Sequence, residues 1–248
     1  MGEPVVEVRD VWKVFDGHEV LRGVGLTLTR GTTLAVMGGS GQGKTVLLRL
    51  IVGLIRPDAG EVRLFGTRID HLREEQMLSL RRRTGFVFQS SALFDSLSVF
   101  ENVAYPLREH TRLGEPAIAD RVGTFLSLVG LAGTEQLLPA ELSGGMRKRV
   151  GIARALALEP EIVIFDEPTA GLDPTNARLV VELIARLRSG VCDTAIVVTH
   201  DIEFAEMVAD QMAILHQGQF VATGSPAEVH RSQNSAVRAF LAGDLRGS

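Results

Sequence analysis

Several kinds of protein are ruled out by what this chain has too little of. Cys192 is the only cysteine in 248 residues, so no internal disulfide can form, and a reducing compartment is expected. No apolar run approaches the ~20 residues that cross a bilayer. The longest candidate, which follows Gly43, is broken by Arg49. The opening MGEPVVEV lacks the basic region and apolar core of a secretory signal, and Val6 stands where N-myristoylation needs Ser or Thr. The expectation is a soluble, cytoplasmic chain that reaches a membrane only through partners. A surplus of positive charge is missing as well. The 26 Lys and Arg against 30 Asp and Glu leave a net charge of −4, so there is no general basic field and nucleic acid is not suggested. There is no internal repeat and no low-complexity linker. What the chain does have is 45% hydrophobic residues, enough to bury a substantial core as one large domain or a domain with a sub-lobe.

One stretch organises the rest. Leu34–Met37 is an apolar run too short for a helix and reads as a buried strand. It runs into Gly38, Gly39, Ser40, Gly41, Gln42, Gly43, Lys44 and Thr45, which satisfy G-x-x-x-x-G-K-[ST] in the strand-to-helix context that the pattern requires. The glycines let consecutive N–H groups turn inward at phosphate oxygens, and the helix that begins at Lys44 adds its positive end. Lys44 can reach β- and γ-phosphates, and the Thr45 hydroxyl can ligate Mg²⁺. The pattern predicts a nucleoside triphosphate site.

Around it, Val5, Val6, Val8 and Val11 predict an opening strand, with Asp16-Gly17 as a hairpin turn. Trp12 and Phe15 lie in this part. Either could stack on adenine, or simply cover a sheet face. Arg81-Arg82-Arg83 reads as a solvated helix face. Gly85–Phe88 reads as a buried strand that delivers Gln89 where parallel sheets place ligands. Ser98–Glu101 has the form of a capping box, and Ile118, Val122, Phe125, Leu126 and Val129 share one helical face. These helices interrupt the strand–helix alternation and predict an inserted lobe. Leu142-Ser143-Gly144-Gly145-Met146 follows, with Ser143 as N-cap of a helix running to Leu158. This is either a capped helix start or a second anion site, and spacing alone does not decide between them.

Ile162–Phe165 predicts a central strand ending in Asp166 and Glu167. In a P-loop chain the first carboxylate belongs near Mg²⁺, and the second can orient and deprotonate the attacking water. Asp173-Pro174 starts a helix that Gly190 stops. Ala195–Val198 is a further core strand, and His200 emerges beyond it with a phosphate-facing role. Met212–Leu215 and Phe220–Ala222 read as an edge hairpin through Gln217-Gly218, and Ser225–Glu228 caps a short helix.

Together these residues resemble the nucleotide-binding subunit of ABC transporters over nearly the whole chain. The P-loop is followed by Gln89 as Q-loop, LSGGM at Leu142–Met146 as signature, IVIFDEP as Walker B, Ala170–Asp173 as D-loop and His200 as switch histidine. Met146 departs from the commoner Gln. The resemblance implies an α/β P-loop NTPase of the ABC ATPase fold, with a RecA-like mixed sheet core, an N-terminal antiparallel β part and an inserted helical lobe. It divides a single domain into a core lobe (1–92 and 161–224), a signature lobe (93–160) and a C-terminal tail (225–248). It makes Phe15, not Trp12, the adenine-stacking residue, and it adds Val46, Ser143, Gly144, Gly145 and Asp173 to the nucleotide contacts. Thr45, Gln89 and Asp166 are implied for Mg²⁺, and Glu167, His200, Gln89 and Lys44 for catalysis. Two copies would sandwich two ATP molecules head to tail, Ser143 and Gly145 facing the nucleotide of the other chain. FVFQSSALFDSLSVFENVAYPLREHT, the run from LSGGM to GLDP, and the closing AVRAFLAGDL are similar to the ATPases of MCE-type lipid transporters, the Mla phospholipid system among them. The implied partners are integral membrane permease subunits and an MCE-type lipid-binding protein, with the chain peripheral on the cytoplasmic face of the inner membrane. ABC proteins that act on nucleic acid or the ribosome usually carry two cassettes or long coiled-coil insertions, and this chain has neither. Glu167 and His200 speak against a switch that binds ATP without turnover.

Overall fold

The computed structural model describes residues 2–243, which fall into two compact units, one ending at Arg81 and resuming at Asp193, the other spanning Arg82–Cys192. In the first unit β1 (Pro4–Phe15) and β2 (His18–Thr29) form an antiparallel hairpin. Its two-residue turn is Asp16-Gly17, both at positive φ (49° and 79°), as the right-handed twist of a hairpin favours. After β3 (Thr33–Met37) and α1 (Lys44–Ile51), the strand β4 (Ala59–Leu64) pairs antiparallel with the other side of β1, and β5 (Thr67–Arg68) follows at the edge. The sheet order is β2-β1-β4-β5, and Val6, Val8, Val11, Val62 and Leu64 bury its core face. Helix α2 (Glu74–Arg81) closes this part.

The second unit begins with β6 (Thr84–Val87) and continues through α3 (Val99–His110), α4 (Glu115–Leu128) and α5 (Gly144–Leu156) to β7 (Ile162–Asp166) and α6 (Pro174–Gly190). Strands β6 and β7 are parallel, with Val87 opposite Phe165. Helices α3, α4 and α5 pack on one another through Val103, Leu107, Ile118, Val122, Leu126, Val150 and Ile152. Fully buried Asn102 holds the loop before α3: Oδ1 accepts from Phe94 N (2.9 Å), and Nδ2 donates to the carbonyls of Phe94, Leu97 and Ser98 at 3.0–3.1 Å. The amide has two hydrogens for these three carbonyls, so two of them share one, and the loop is held without the desolvation cost of a charge.

The chain then returns to the first unit with β8 (Ala195–Thr199), α7 (Ile202–Val208), β9 (Gln211–His216), β10 (Gln219–Gly224), α8 (Pro226–His230) and α9 (Ser235–Leu241). Strand β3 lies between parallel β8 and β9, and β10 adds antiparallel to β9. Ala35, Met37, Met212 and Ile214 of these strands share a core with Ala205, Val229, Val237 and Phe240 of the closing helices. Each large side chain there contributes roughly 1.5–3 kcal/mol by leaving water. Of the expected C-terminal tail, residues 244–248 lie outside the described residues.

Four local expectations are corrected. The Arg81–Arg83 run is not one helix face. Arg81 ends α2 and donates to the carbonyls of Val52 and Gly53, Arg82 sits in the following turn and donates to His110 O, and Arg83 pairs with Glu161. Phe88 falls outside β6 and is 38% exposed, because only Gly85 and Val87 of the alternating strand point to the core. Only half of the expected box forms at α3. Ser98 accepts from Glu101 N (3.2 Å), but the Glu101 carboxylate pairs with Arg108 two turns on. Helix α5 stops at Leu156, short of Leu158.

Candidate nucleotide-binding site

In the first unit every residue of β3 is buried, and the chain leaves it at Gly38 with φ 150°. A Cβ there would stand 2.3 Å from the carbonyl oxygen of Leu215 on β9, so only glycine lets the loop pass the neighbouring strand. Lys44 opens α1 and is buried, its Nζ donating to Gly38 O (2.9 Å) and Gly39 O (3.0 Å). The ammonium is thus folded back on its own loop. A phosphate oxygen offers it a charge-assisted bond about twice as strong as one to a neutral carbonyl. Thr45 and Val46 occupy the half-buried first turn, while Ser40 and Gly41 are exposed at the loop tip. The Gln42 Oε1 accepts from the backbone N of Gln217, and Arg22 N donates to Gly218 O (2.8 Å). The β9–β10 turn is therefore tied to both the loop and β2. A cleft of about 580 Å³ opens there, lined by His18, Glu19, Arg22, Gly41 and Gln42 among others.

Of the two early aromatics, Trp12 is half-buried, and its Nε1 donates to Asp10 Oδ1 (3.2 Å). Phe15 is 42% exposed at the end of β1, with Lys13 Nζ 5.1 Å from the ring centroid. Phe15 is the more exposed of the two rings. In the same unit, β3 and β8 run parallel with Met37 opposite Thr199. The residues next in line, Gly38 and His200, consequently leave the sheet at one edge. His200 is exposed, and Asp201 beyond it caps α7 by accepting from Phe204 N (3.0 Å).

In the second unit the register of β6 and β7 brings Gln89 and the Asp166-Glu167 pair off the same ends of two neighbouring parallel strands. Gln89 is exposed, whereas Asp166 and Glu167 are buried, at 4% and 8% exposure. Glu167 holds φ 47°, a left-handed conformation unusual for a residue with a side chain. Its carbonyl accepts from Ala170 N (3.1 Å) and from Lys148 Nζ (3.3 Å). Burial pushes the Lys148 ammonium below its ordinary value, and the Asp166 and Glu167 carboxylates pull it back up. Lys148 also donates to Gln89 O. The sequence reading passed over this residue, the only signal being one more cation in MRKR.

Ser143 caps α5 by accepting from Met146 N (3.2 Å). Gly144 and Gly145 begin the helix, and a Cβ on Gly145 would meet Asn176 Oδ1 at 2.5 Å. Asn176 in turn donates to Asp173 Oδ2 (2.6 Å), and Asp173 caps α6 by accepting from Thr175 N and Asn176 N at 3.1 Å. The starts of α5 and α6 are thus packed together. At α5 the cap takes only Met146 N and leaves the N–H groups of Gly144 and Gly145, of the kind that bind anions, whereas at α6 Pro174 has no N–H and Asp173 accepts those of Thr175 and Asn176. Among the described residues no group of three or more His, Cys, Asp or Glu forms a ready metal cage. Thr45, Gln89 and Asp166 offer a hydroxyl, an amide and a carboxylate. Each is an oxygen donor of the kind Mg²⁺ takes, an ion commonly held by one or two carboxylates together with substrate phosphates.

Comparison with known proteins gives a consistent result. A family model described as ABC transporter matches residues 21–170. The chain is 43% identical to the intermembrane phospholipid transport system ATP-binding protein MlaF of Escherichia coli K12, over 98% of this chain and 90% of that one. It is 40% identical to the probable ribonucleotide transport ATP-binding protein mkl of Mycobacterium tuberculosis H37Rv, over 96% of this chain and 66% of that one. The dimeric post-hydrolysis structure of the ATP-binding cassette MJ0796 bound to ADP and Pi superposes with a TM-score of 0.82 at 31% identity, covering 89% of this chain and 98% of that chain.

Proposed function

The chain belongs to the ABC transporter ATPase family, and on that premise we propose that it is the motor of a phospholipid transport system, closing as a head-to-tail pair around ATP. The observation that carries the reading is the set of motifs, P-loop, Gln89, LSGGM, IVIFDEP and His200 in order, in a chain 43% identical to a phospholipid-transport ATPase. Each composite site would combine Phe15, Gly38–Val46, Gln89, Asp166, Glu167 and His200 of one copy with Ser143, Gly144, Gly145 and Asp173 of the other.

The chemistry then follows from the side chains. Phe15 supplies a stacking surface for the base. The loop amides and Lys44 meet the phosphates, with Lys44 leaving the Gly38 and Gly39 carbonyls to do so. Thr45, Gln89 and Asp166 would hold Mg²⁺, which neutralises charge on the phosphates when bound. Buried Glu167 accepts a proton from the attacking water, and exposed His200 donates toward the γ-phosphate as charge develops there. Among the described residues no helix is long and apolar enough to cross a membrane. Motion would therefore be passed to integral membrane permease subunits, with an MCE-type lipid-binding protein beyond them, and the chain would sit peripherally on the cytoplasmic face of the inner membrane.

Mixing two inactive variants tests the shared site. Ser143→Arg blocks closure while leaving nucleotide binding to the single copy, and Lys44→Ala weakens binding itself. A mixed pair carries both lesions in one site and leaves the other whole, so phosphate release should return on mixing. Wild-type turnover by Ser143→Arg alone overturns the cross-chain role. For the cargo, the tagged chain is recovered from membranes with its partners and the bound small molecules are identified by mass spectrometry. Phospholipid supports the proposal, and ribonucleotide overturns it.

A further inference from the structure

One face of α5 grips both loops of the second unit that carry catalytic candidates. Lys148, Gly151 and Arg154 recur every three residues and so lie along that face. Lys148 is only 5% exposed, and its ammonium donates to Gln89 O and to Glu167 O (3.3 Å). Gly151 leaves room for Ser91, whose Cβ lies 3.5 Å from where a Cβ on the glycine would stand. Arg154 donates to Ser91 O (2.9 Å) and Ala92 O (2.8 Å) and stacks near Phe94, 5.8 Å from its centroid.

The residues held are not relaxed ones. Glu167, Ser91 and Ala92 have φ of 47°, 63° and 46°. Residues with side chains keep such conformations only where their surroundings over-determine them. A buried ammonium also costs more to desolvate than an apolar side chain of the same length. What it adds is several donors on one atom, able to bridge two loops at once.

We propose that Lys148 is a positioning residue, fixing the backbones of Glu167 and Gln89 to the helix that starts at Ser143-Gly144-Gly145. Displacement of that helix start is passed through Lys148 to the carboxylate that handles water. The helix start faces the other copy's nucleotide in the sandwich, so the tie makes one site's base sensitive to the occupancy of the other. This rests on the reading of Glu167 as the base.

The test is Lys148→Met, which keeps the length and removes the donors. Turnover should fall by roughly 10²-fold, the scale of a misplaced catalytic group, with KM for ATP nearly unchanged. Lys148→Arg, which keeps donors at that place, should restore most of it. In a Glu167→Gln background, with phosphate release followed in single turnover, Lys148→Met should add a much smaller loss than in the wild type, because the larger part of its effect passes through Glu167. An equal further loss in that background overturns the proposal, as does a defect confined to KM or to melting temperature. If Lys148→Met does not fold, Lys148→Leu, which likewise lacks donors, is read the same way. Full turnover by Glu167→Gln alone overturns the base assignment and this proposal with it, so that one assay tells the two failures apart.

Discussion

Met37 and Thr199 stand opposite one another in the parallel ladder of β3 and β8. That single register pair sends the phosphate-binding loop and His200 off the same edge, although they are distant in sequence. A register slip of one residue would turn His200 to the other face.

The first prediction follows from that edge. His200→Ala should keep ATP affinity and lower turnover by about 10²-fold, the usual cost of removing one donor to developing charge. Equilibrium binding of a fluorescent ATP analogue beside a phosphate-release assay separates the two quantities. Wild-type turnover would show that His200 is only a turn residue.

Glu167→Gln keeps the shape of the side chain and removes its basicity. Roughly 10²–10⁴-fold of turnover should vanish while ATP affinity survives. The ATP-bound pair should then persist on size-exclusion chromatography. A variant that still turns over at the normal rate cannot have lost its base.

Phe15 and Trp12 give opposite expectations from neighbouring positions. Phe15→Ala removes an exposed ring and should weaken nucleotide binding by about 0.5–1.5 kcal/mol, the worth of an aromatic pair. Trp12→Ala removes a ring already bonded to Asp10 and should leave affinity close to normal in folded protein. The reverse ranking in titration would reassign the stacking role.

Gly145→Ala should be destabilising although alanine is the better helix former. Its Cβ would enter the space of Asn176, 2.5 Å from Oδ1, and push apart the starts of α5 and α6. Overpacking of this kind costs about 1–3 kcal/mol. Gly144→Ala, whose Cβ would meet Leu172 at an easier 3.4 Å, should cost less. Thermal denaturation of both variants makes the comparison.

Asp58 gives a pH dependence of known sign. The Val14 backbone N–H and then Lys13 hold its carboxyl below the usual carboxylate range. A group depressed in the folded state stabilises above its unfolded pKa and loses that contribution as pH falls through the folded value. Between pH 7 and 5 the wild type should therefore melt above Asp58→Asn. The two should converge below pH 4, the ordinary Asp value being about 3.9. A constant gap down to pH 2 would mean that the carboxylate charge is not the cause.

Local pattern determined a great deal of this protein. The phosphate loop, the apolar strand ending in Asp166 and Glu167, the caps at Ser98, Ser143, Asp173 and Ser225, and the turns at Asp16-Gly17 and Gln217-Gly218 all depend on residues a few positions apart. Spacing of that range is visible in any sequence, because helix and turn hydrogen bonds join near neighbours. Other features were decided by tertiary structure alone. Gly38 is required by a carbonyl of Leu215 on the next strand, and Gly145 by the side chain of Asn176. Arg81, Arg82 and Arg83, adjacent in the chain, part to three different sets of partners. In the sequence Lys148 is one more cation in MRKR, and only the packing of its helix against the ends of β6 and β7 sets it apart. Its meaning lies in two carbonyls brought beside it by parallel strand pairing, and no periodicity in the sequence records which strands will be neighbours or in what register.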